Sequence, residues 1–398
     1  MSLIVQKFGG TSVGSIERMK IVADIIARTR RAGNDVVVVV SAMGDETDRL
    51  KDMALQISKT PSPREMDMLL TTGERVSMAL LSMALQNLGI ESRSFTGSQS
   101  GILTDGVHGN ARIQNILGDR IKASLASGLV AIVAGFQGMH LETKEITTLG
   151  RGGSDLTAVA LAKALNAKLC EIFTDVKGVC TADPRKVKAT KLIDKLSWSE
   201  MTELAWMGAG VMHARAAHLS EVSEIEVVIR SSFHLEHAGT RVKGKIMEKI
   251  HISAIAHKDD VSMLTLRFSD RQKAALSDAM NWFWKRGGHP LLSEQSLRAG
   301  EEVEIRLVVD SELAQDYVSF IDESESNSLT QKLVTDDLAA VSVVGVGFWQ
   351  SPETISTIQS LVGDRIEMFD VRNNAVTICI EKKHLTEVLN KLHDSLIS

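Results

Sequence analysis

Two glycine-bearing loops carry the residues whose types and spacing suit chemistry. In the stretch 147–185, TTLGRGGSDLTAVALAKALNAKLCEIFTDVKGVCTADPR, the side-chain-free Gly150, Gly152 and Gly153 let the backbone approach a ligand closely. Ser154 and Asp155 suit the helix start that follows, where free N–H groups and the positive dipole end favour an anion. Arg151 on this loop, and Asp175, Asp183 and Arg185 after the next strand, suit a crevice taking a carboxylate and a nucleotide. A glycine-rich turn ahead of a helix can also be only a turn, and this loop by itself leaves both readings open.

The second loop lies near the start of the chain. Ser2 to Lys7 reads as a strand running into Phe8-Gly9-Gly10-Thr11-Ser12-Val13-Gly14, where backbone donors beside one lysine form a phosphate cradle. It lacks the Gly-Lys-Ser/Thr of a Walker loop. Two further positions complete the set. Ser41 leaves the end of the valine-rich strand 35–40, with Asp45 and Thr47 in the loop beyond, and the Ser41 and Thr47 hydroxyls suit substrate contacts. Glu74 lies in Thr71-Thr72-Gly73-Glu74-Arg75; it reads equally as a ligand-facing carboxylate or as a solvated helix charge, while Gly73 marks close approach by another backbone.

Positioning these loops requires alternating strands and helices. Helix 16–31, strand 35–40 (buried on both faces), helix 66–88, strand 91–95, helix 111–127, strand 129–135, helix 158–167, strand 170–174, helix 196–222 and strand 227–231 predict a largely parallel sheet covered by helices. The basic, glycine-punctuated stretch 239–249 reads as a linker. Beyond it the order strand 261–268, helix 272–284, strand 302–309 is echoed by strand 340–346, helix 353–361, strand 375–381 and a last helix 385–396. Such a pair of modules suits ligand sensing or dimerisation, and the apolar run Val341 to Val346 reads as an edge strand paired across subunits.

The 398 residues suffice for two or three domains, and a net charge of -5 argues against a general nucleic-acid or anionic-membrane binder. No apolar run is long enough to span a bilayer and no signal peptide opens the chain, so a cytoplasmic location without membrane partners is expected. The three cysteines lack metal-ligand spacing and read as buried reduced thiols.

Taken in order, KFGGTSV (7–13), VVSAM (39–43), TTGERVS (71–77), GFQG (135–138), TTLGRGGSD (147–155), FTDVKGV (173–179), TADPR (181–185) and RSSF (230–233) resemble the aspartokinases of the amino-acid kinase family. The tail is similar in layout to that family's paired ACT modules, with VSVVGVG (341–347) the clearest piece. The resemblance implies an α/β fold, a mostly parallel sheet sandwiched by helices over 1–247, followed by two small α+β ACT-like domains over 248–398. It implies transfer of the γ-phosphoryl group of ATP, with Mg2+, to the β-carboxylate of L-aspartate, the first step toward lysine, threonine and methionine. By the same resemblance Lys7 neutralises the phosphates, Gly9 and Gly10 cradle them, and Asp155 holds Lys7. Arg151 grips the substrate α-carboxylate, Glu74 receives the α-ammonium, and Ser41 and Thr47 orient the reacting carboxylate. Thr174, Asp175, Asp183 and Arg185 line the nucleotide site, magnesium is held by phosphate oxygens and water without a protein metal site, and the tail makes a homo-oligomer and a place for an amino-acid effector.

The sequence also departs from the family pattern. Gly208-Ala209-Gly210-Val211-Met212-His213-Ala214 stands where Gly-Ala-Lys-Val-Leu-His-Pro is usual, so a phosphate-contacting lysine is replaced by Gly210. Ser269-Asp270-Arg271-Gln272 replaces the usual Lys-Pro-Gly turn of the first module, and Ser351-Pro352-Glu353 the His-Pro-Gly of the second. A kinase of the same fold acting on another carboxylate, or a weakly catalytic regulatory homologue, are the other readings these departures leave open.

Overall fold

The computed structural model describes residues 2–244, 251–268, 275–297, 303–323 and 329–397. The chain divides into two compact units, one of Met1–Val179, Leu192–Thr202 and Gly210–Lys245, the other of Cys180–Lys191, Glu203–Ala209 and Ile246–Ser398. The expected boundary at 247 and the departure at 269–272 lie outside the described residues.

In the first unit the order is β1 (Leu3–Phe8), α1 (Ile16–Arg31), β2 (Asp35–Val40), α2 (Glu46–Ile57), α3 (Pro63–Leu70), α4 (Thr72–Asn87), β3 (Ser92–Phe95), β4 (Ile102–Thr104) and β5 (Ile113–Ile116). It continues through α5 (Asp119–Ala126), β6 (Val130–Ala134), β7 (Gln137–His140), β8 (Ile146–Thr148), α6 (Gly153–Ala164), β9 (Leu169–Thr174), β10 (Lys195–Leu196), α7 (Trp198–Trp206, whose residues from Glu203 on are counted with the second unit), α8 (Ala214–Ser223), β11 (Val227–Ser231) and β12 (Thr240–Val242). Eight strands form one sheet in the order β10-β12-β11-β9-β1-β2-β6-β3, parallel except where β11 meets β12. The first strand of the chain is thus central, flanked in register by β2 and β9. Val36, Val38 and Val40 pack with α1 and α4 residues such as Val22, Ile26, Leu81 and Leu85, while α6 packs on β1, β2 and β9. All five valines of β2 are fully buried, as a strand covered on both faces requires.

Several long helices anticipated from periodicity are broken, each at an identifiable residue. The stretch 66–88 divides at Thr71, whose carbonyl accepts a hydrogen bond from Gln137 Nε2 at 3.1 Å instead of continuing the helix. The stretch 111–127 becomes β5 and α5, separated by Gly118 at φ +68°. The stretch 196–222 becomes α7 and α8: Gly208 has φ +104°, and a Cβ there would lie 2.5 Å from the His257 carbonyl oxygen. Gly210 therefore lies in a turn, not in a helix. A small sheet, β5-β4-β7-β8, went unread because its strands have only three or four residues.

The second unit contains β13 (His251–Phe268), α9 (Ala275–Lys285), β14 (Leu292–Leu297), β15 (Val303–Asp310), α10 (Ser311–Glu323), β16 (Leu329–Val346), α11 (Pro352–Val362), β17 (Met368–Val371), β18 (Ala375–Glu381) and α12 (Leu385–Leu396). Its antiparallel sheet runs β14-β15-β13-β16-β18-β17. The two central strands are 18 residues each and serve both modules: Leu264, Leu266 and Phe268 join the core of Trp282, Phe283 and Tyr317, while Ile255 joins that of Val341, Ile378 and Leu389. The run Val341 to Val346 is not an edge strand. It pairs with β13 on one side, and Val341 to Val344 pair with β18 on the other, so its apolar character serves the chain's own sheet. The edges are β14 and β17.

The segment Cys180–Lys191 is built into this second unit. Ala182 and Val187 join the core beneath α12, the Thr181 carbonyl accepts from Ile255 N–H at 2.8 Å, and Thr181 Oγ1 is 2.9 Å from His393 Nε2. Lys186 pairs with Asp259 at 2.9 Å, and its carbonyl accepts from Asn390 at 3.3 Å. Ending the chain at Gly244 removes these partners, and local opening follows the loss of buried contacts. Limited trypsin digestion followed by mass spectrometry is expected to cut such a protein faster at Arg185, Lys186 and Lys188 than the full chain; equal cutting rates contradict this packing account.

Candidate functional site

Parallel strands bring the ends of β1, β2, β6, β9 and β11 to one edge of the sheet, where open α/β folds place ligands. Lys7 extends from β1 between Val39 and Ile172 to meet Asp155 of α6, with Nζ 2.7 Å from Oδ1. Both side chains are only about a tenth exposed (12% and 11%). Desolvating two charges costs several kcal/mol, and what recovers part of that cost is local. Asp155 lies in the first turn of α6, at the positive end of the helix dipole, and its Oδ2 accepts the backbone N–H of His213 at 3.1 Å.

Close packing at glycine sets the start of α6. A Cβ on Gly135 would lie 2.6 Å from Ser154 Oγ, and one on Gly152, at φ +69°, would lie 2.1 Å from His213 Cγ. Across the sheet edge, Gly10 lies so close to the loop after β2 that a Cβ would meet the Ala42 and Gly44 carbonyl oxygens at 3.0 Å. The Gly9 amide, expected among the phosphate donors, is already bonded to the Phe173 carbonyl at 3.3 Å. A Cβ at Gly9 would meet Lys7 Nζ at 3.4 Å and the Phe173 carbonyl oxygen at 3.7 Å, ordinary contact distances. Gly10 opens a short 3-10 turn whose first amides have no partner within the turn.

Glu74, in the first turn of α4, is 3% exposed, which removes its reading as a solvated charge. Its Oε1 accepts the Ala42 N–H at 3.2 Å, its Oε2 is buried without a partner among the described residues, and burial pushes its carboxyl up to about 7. Gly73 abuts Ala42, whose Cβ would lie 2.8 Å from an added Cβ, as expected of a close approach. Ser41 follows β2 with its amide on the Phe8 carbonyl at 3.1 Å. Thr47 is in the first turn of α2, not in a loop.

Arg151 is exposed, between Gly150 and Gly152, and forms no ion pair among the described residues. The loop that carries it is fastened on both sides. The buried Asp67 accepts from Thr148 Oγ1 at 2.5 Å and from Gly109 N–H at 3.1 Å, and is bonded to His108 Nδ1 at 2.6 Å. Arg215 donates to the Leu149 carbonyl at 2.6 Å, to Asn110 Oδ1 at 3.1 Å and to the Ala111 carbonyl at 2.9 Å. At the end of β9, Thr174 Oγ1 donates to Asp175 Oδ1 at 2.9 Å. Nearby, Arg18 stacks 3.7 Å above the Phe233 ring and donates to the Ser232 carbonyl at 2.9 Å, while Ser232 Oγ lies 2.8 Å from Ser12 Oγ.

The structure thus gathers Lys7, Gly9, Gly10, Ser41, Thr47, Glu74, Arg151, Asp155, Thr174 and Asp175 in the first unit. Asp183 and Arg185 belong to the second, where the Arg185 guanidinium bonds the Asp183 carboxylate at 2.8 Å and holds it below the usual carboxylate range. Asp67, His213, Arg215 and Arg18 were not legible as site residues, because each acts through partners distant in sequence. Only His213 had a signal, its place in the 208–214 motif.

Because the folded-state value of Glu74 is raised to about 7, the fold binds this proton more tightly than the unfolded chain does. Its contribution to stability is therefore present at low pH and lost as pH rises from the ordinary carboxylate value through 7, by about 1.4 kcal/mol per unit in between. Glu74→Gln removes this slope. Urea unfolding at pH 5.5 and pH 8 is expected to show the variant gaining on the wild type at the higher pH, by on the order of 2 kcal/mol; parallel behaviour at both pH values contradicts it.

Residues 2–231 match the Amino acid kinase family. The chain is 42% identical over 400 residues to the aspartokinase of Geobacillus stearothermophilus, covering 99% of this chain and 97% of that one. It is 41% identical over 401 residues to aspartokinase 2 of Bacillus subtilis, covering 99% and 98%. Among solved structures, E. coli aspartokinase III in complex with aspartate and ADP (R-state) has a TM-score of 0.83 over 100% of both chains at 24% identity, a likeness of fold. The aspartate kinase from Synechocystis is 36% identical with a TM-score of 0.56, covering 99% of this chain and 69% of that one. With its central lysine, its buried half-satisfied glutamate and relatives matched from end to end, this chain belongs to the aspartokinases of the amino acid kinase family.

Proposed function

We propose that the chain transfers the γ-phosphoryl group of ATP to the β-carboxylate of L-aspartate, giving 4-phospho-L-aspartate, the first step toward lysine, threonine and methionine. The observation that carries this reading is a desolvated lysine on the sheet edge, in a unit that also holds a buried glutamate and an arginine, the one half-satisfied and the other without an ion pair among the described residues. An amino acid with two carboxylates needs such a set, and phosphoryl transfer is catalysed chiefly by positioning and charge stabilisation.

In this reading Lys7, held by Asp155, neutralises the phosphates, with the side-chain-free Gly9 and Gly10 letting them approach the backbone and the Gly10 amide donating to them. Glu74 takes the α-ammonium, which supplies the missing partner of Oε2 and draws the carboxyl back to its ionised form. Arg151 takes the α-carboxylate through two parallel hydrogen bonds, a geometry lysine lacks. Ser41 and Thr47 orient the reacting carboxylate, and Thr174 and Asp175 serve the nucleotide. The parts of Asp183 and Arg185 at the nucleotide rest on the resemblance alone. Magnesium, carried on phosphate oxygens and water, supplies further charge neutralisation. Self-association and an amino-acid effector are assigned to the second unit. The T-state structure of E. coli aspartokinase III, in complex with lysine and aspartate, supports the effector assignment at 25% identity and a TM-score of 0.75.

Coupled ADP release, scanned across acidic amino acids with hydroxylamine trapping of the acyl phosphate, tests the reading. Turnover with aspartate is expected; ATP binding without turnover on any acceptor contradicts it. Arg151→Lys is expected to raise KM for aspartate by about tenfold, the scale of one charge-assisted hydrogen bond, with KM for ATP little changed. Equal KM values for aspartate remove Arg151 from its role. At Gly210 an added Cβ meets nothing within 4 Å among the described residues, so a side chain can leave the backbone there without a clash at its first atom. Gly210→Lys is expected to raise the single-turnover rate about tenfold if the cation returns ~1.4 kcal/mol to the barrier. Equal rates for Gly210→Lys and Gly210→Ala show that the missing charge is compensated.

A further inference from the structure

His213 has no part in the reading above, yet it is tied to the residues on which that reading rests. Its backbone N–H bonds Asp155 Oδ2 while Lys7 bonds Oδ1, so one carboxylate holds both. Its ring is seated against Gly152, the residue after Arg151, where even a Cβ has no room. The ring therefore stands beside the loop that carries the substrate arginine and beside the carboxylate that holds the phosphate lysine.

The ring also has a defined chemistry. Its Nδ1 accepts the Arg215 N–H at 3.3 Å as the cap of α8, so the neutral imidazole carries its proton on Nε2. Burial lowers its pKa, which keeps the ring neutral, and it lies in the fields of Asp155, Arg215 and Arg151. Among the described residues Nε2 has no hydrogen-bond partner. Capping alone does not explain the residue, because asparagine, aspartate and serine are the favoured caps. A neutral imidazole N–H is a competent donor to developing negative charge.

We propose that His213 is a further catalytic residue, whose Nε2–H donates a hydrogen bond to the transferring phosphoryl group between Lys7 and Arg151. In the step it serves, the bond from phosphorus to the bridging oxygen of ADP breaks as the bond to the aspartate β-carboxylate oxygen forms. The imidazole keeps its proton throughout and stabilises charge on a non-bridging oxygen. The donor acts near the place where the family's lysine is replaced by Gly210, and the inference rests on the aspartokinase reading.

His213→Asn separates this role from capping, because the asparagine Oδ1 can still accept the Arg215 N–H while nothing remains at the position of Nε2. The expected result is a kcat about 100-fold lower, the usual loss for one such donor, with an unchanged thermal midpoint and little change in either KM. His213→Gln, whose amide reaches further, is expected to recover part of kcat relative to His213→Met. Wild-type kcat in His213→Asn, or a loss confined to KM for aspartate, overturns the proposal. Should the asparagine variant fail to fold, equal kcat for the glutamine and methionine variants overturns it as well. Wild-type turnover across acidic amino acids, measured alongside, reports separately on the substrate reading, and the His213 comparison uses whichever acceptor turns over.

Discussion

A lysine ammonium is held out of water at the carboxyl edge of a parallel sheet, and the surrounding structure is arranged to make that tolerable. Lys7 sits on the central strand, bonded at 2.7 Å to a carboxylate that is itself placed at the start of α6 and fixed by the His213 amide. Removing one member of a buried pair commonly costs ~3–5 kcal/mol, because the other charge is left without compensation. The neighbouring glycines follow from the same constraint. Gly135 and Gly152 leave room for Ser154 and His213 at the start of α6, where Asp155 is offered.

The charges of the site divide between those satisfied within the protein and those left for a ligand. Lys7 and Asp155 are paired, Arg215 and Asp67 are consumed in fastening the loops beside Arg151, and Arg18 is spent on Ser232 and Phe233. Glu74 keeps one buried oxygen unpartnered and Arg151 has no ion pair among the described residues. That pattern, an anion and a cation held ready by a scaffold of saturated contacts, suits a zwitterionic amino acid. Burial without a positive partner among the described residues accounts for the raised carboxyl of Glu74.

How much of this was legible in the sequence depended on the range of the interactions. The strand of five valines and the helix 16–31 are dictated by local pattern, and both are found as expected. The long helices were overextended because the features that end them are tertiary: Gln137 taking the Thr71 carbonyl, and the His257 carbonyl pressed on Gly208. The apolar run 341–346 gave the right element and the wrong neighbour, since an edge and a centre differ only in what lies beside them. At the site, the glycine loops marked Lys7, Arg151 and Asp155, whereas Asp67 and Arg215 look like ordinary helix charges until the fold brings Thr148 and Leu149 to them.

The dependence of the site on the Lys7–Asp155 pair is tested most directly by a double-mutant cycle on kcat, using Lys7→Met, Asp155→Asn and the two together. Residues that act as one unit are strongly non-additive. The double variant is expected to be no slower than Lys7→Met alone, since the amide oxygen of Asp155→Asn can still accept the His213 N–H and Asp155 otherwise has its effect through the lysine it holds. Losses that simply multiply would show that the two side chains act independently, and would contradict the account.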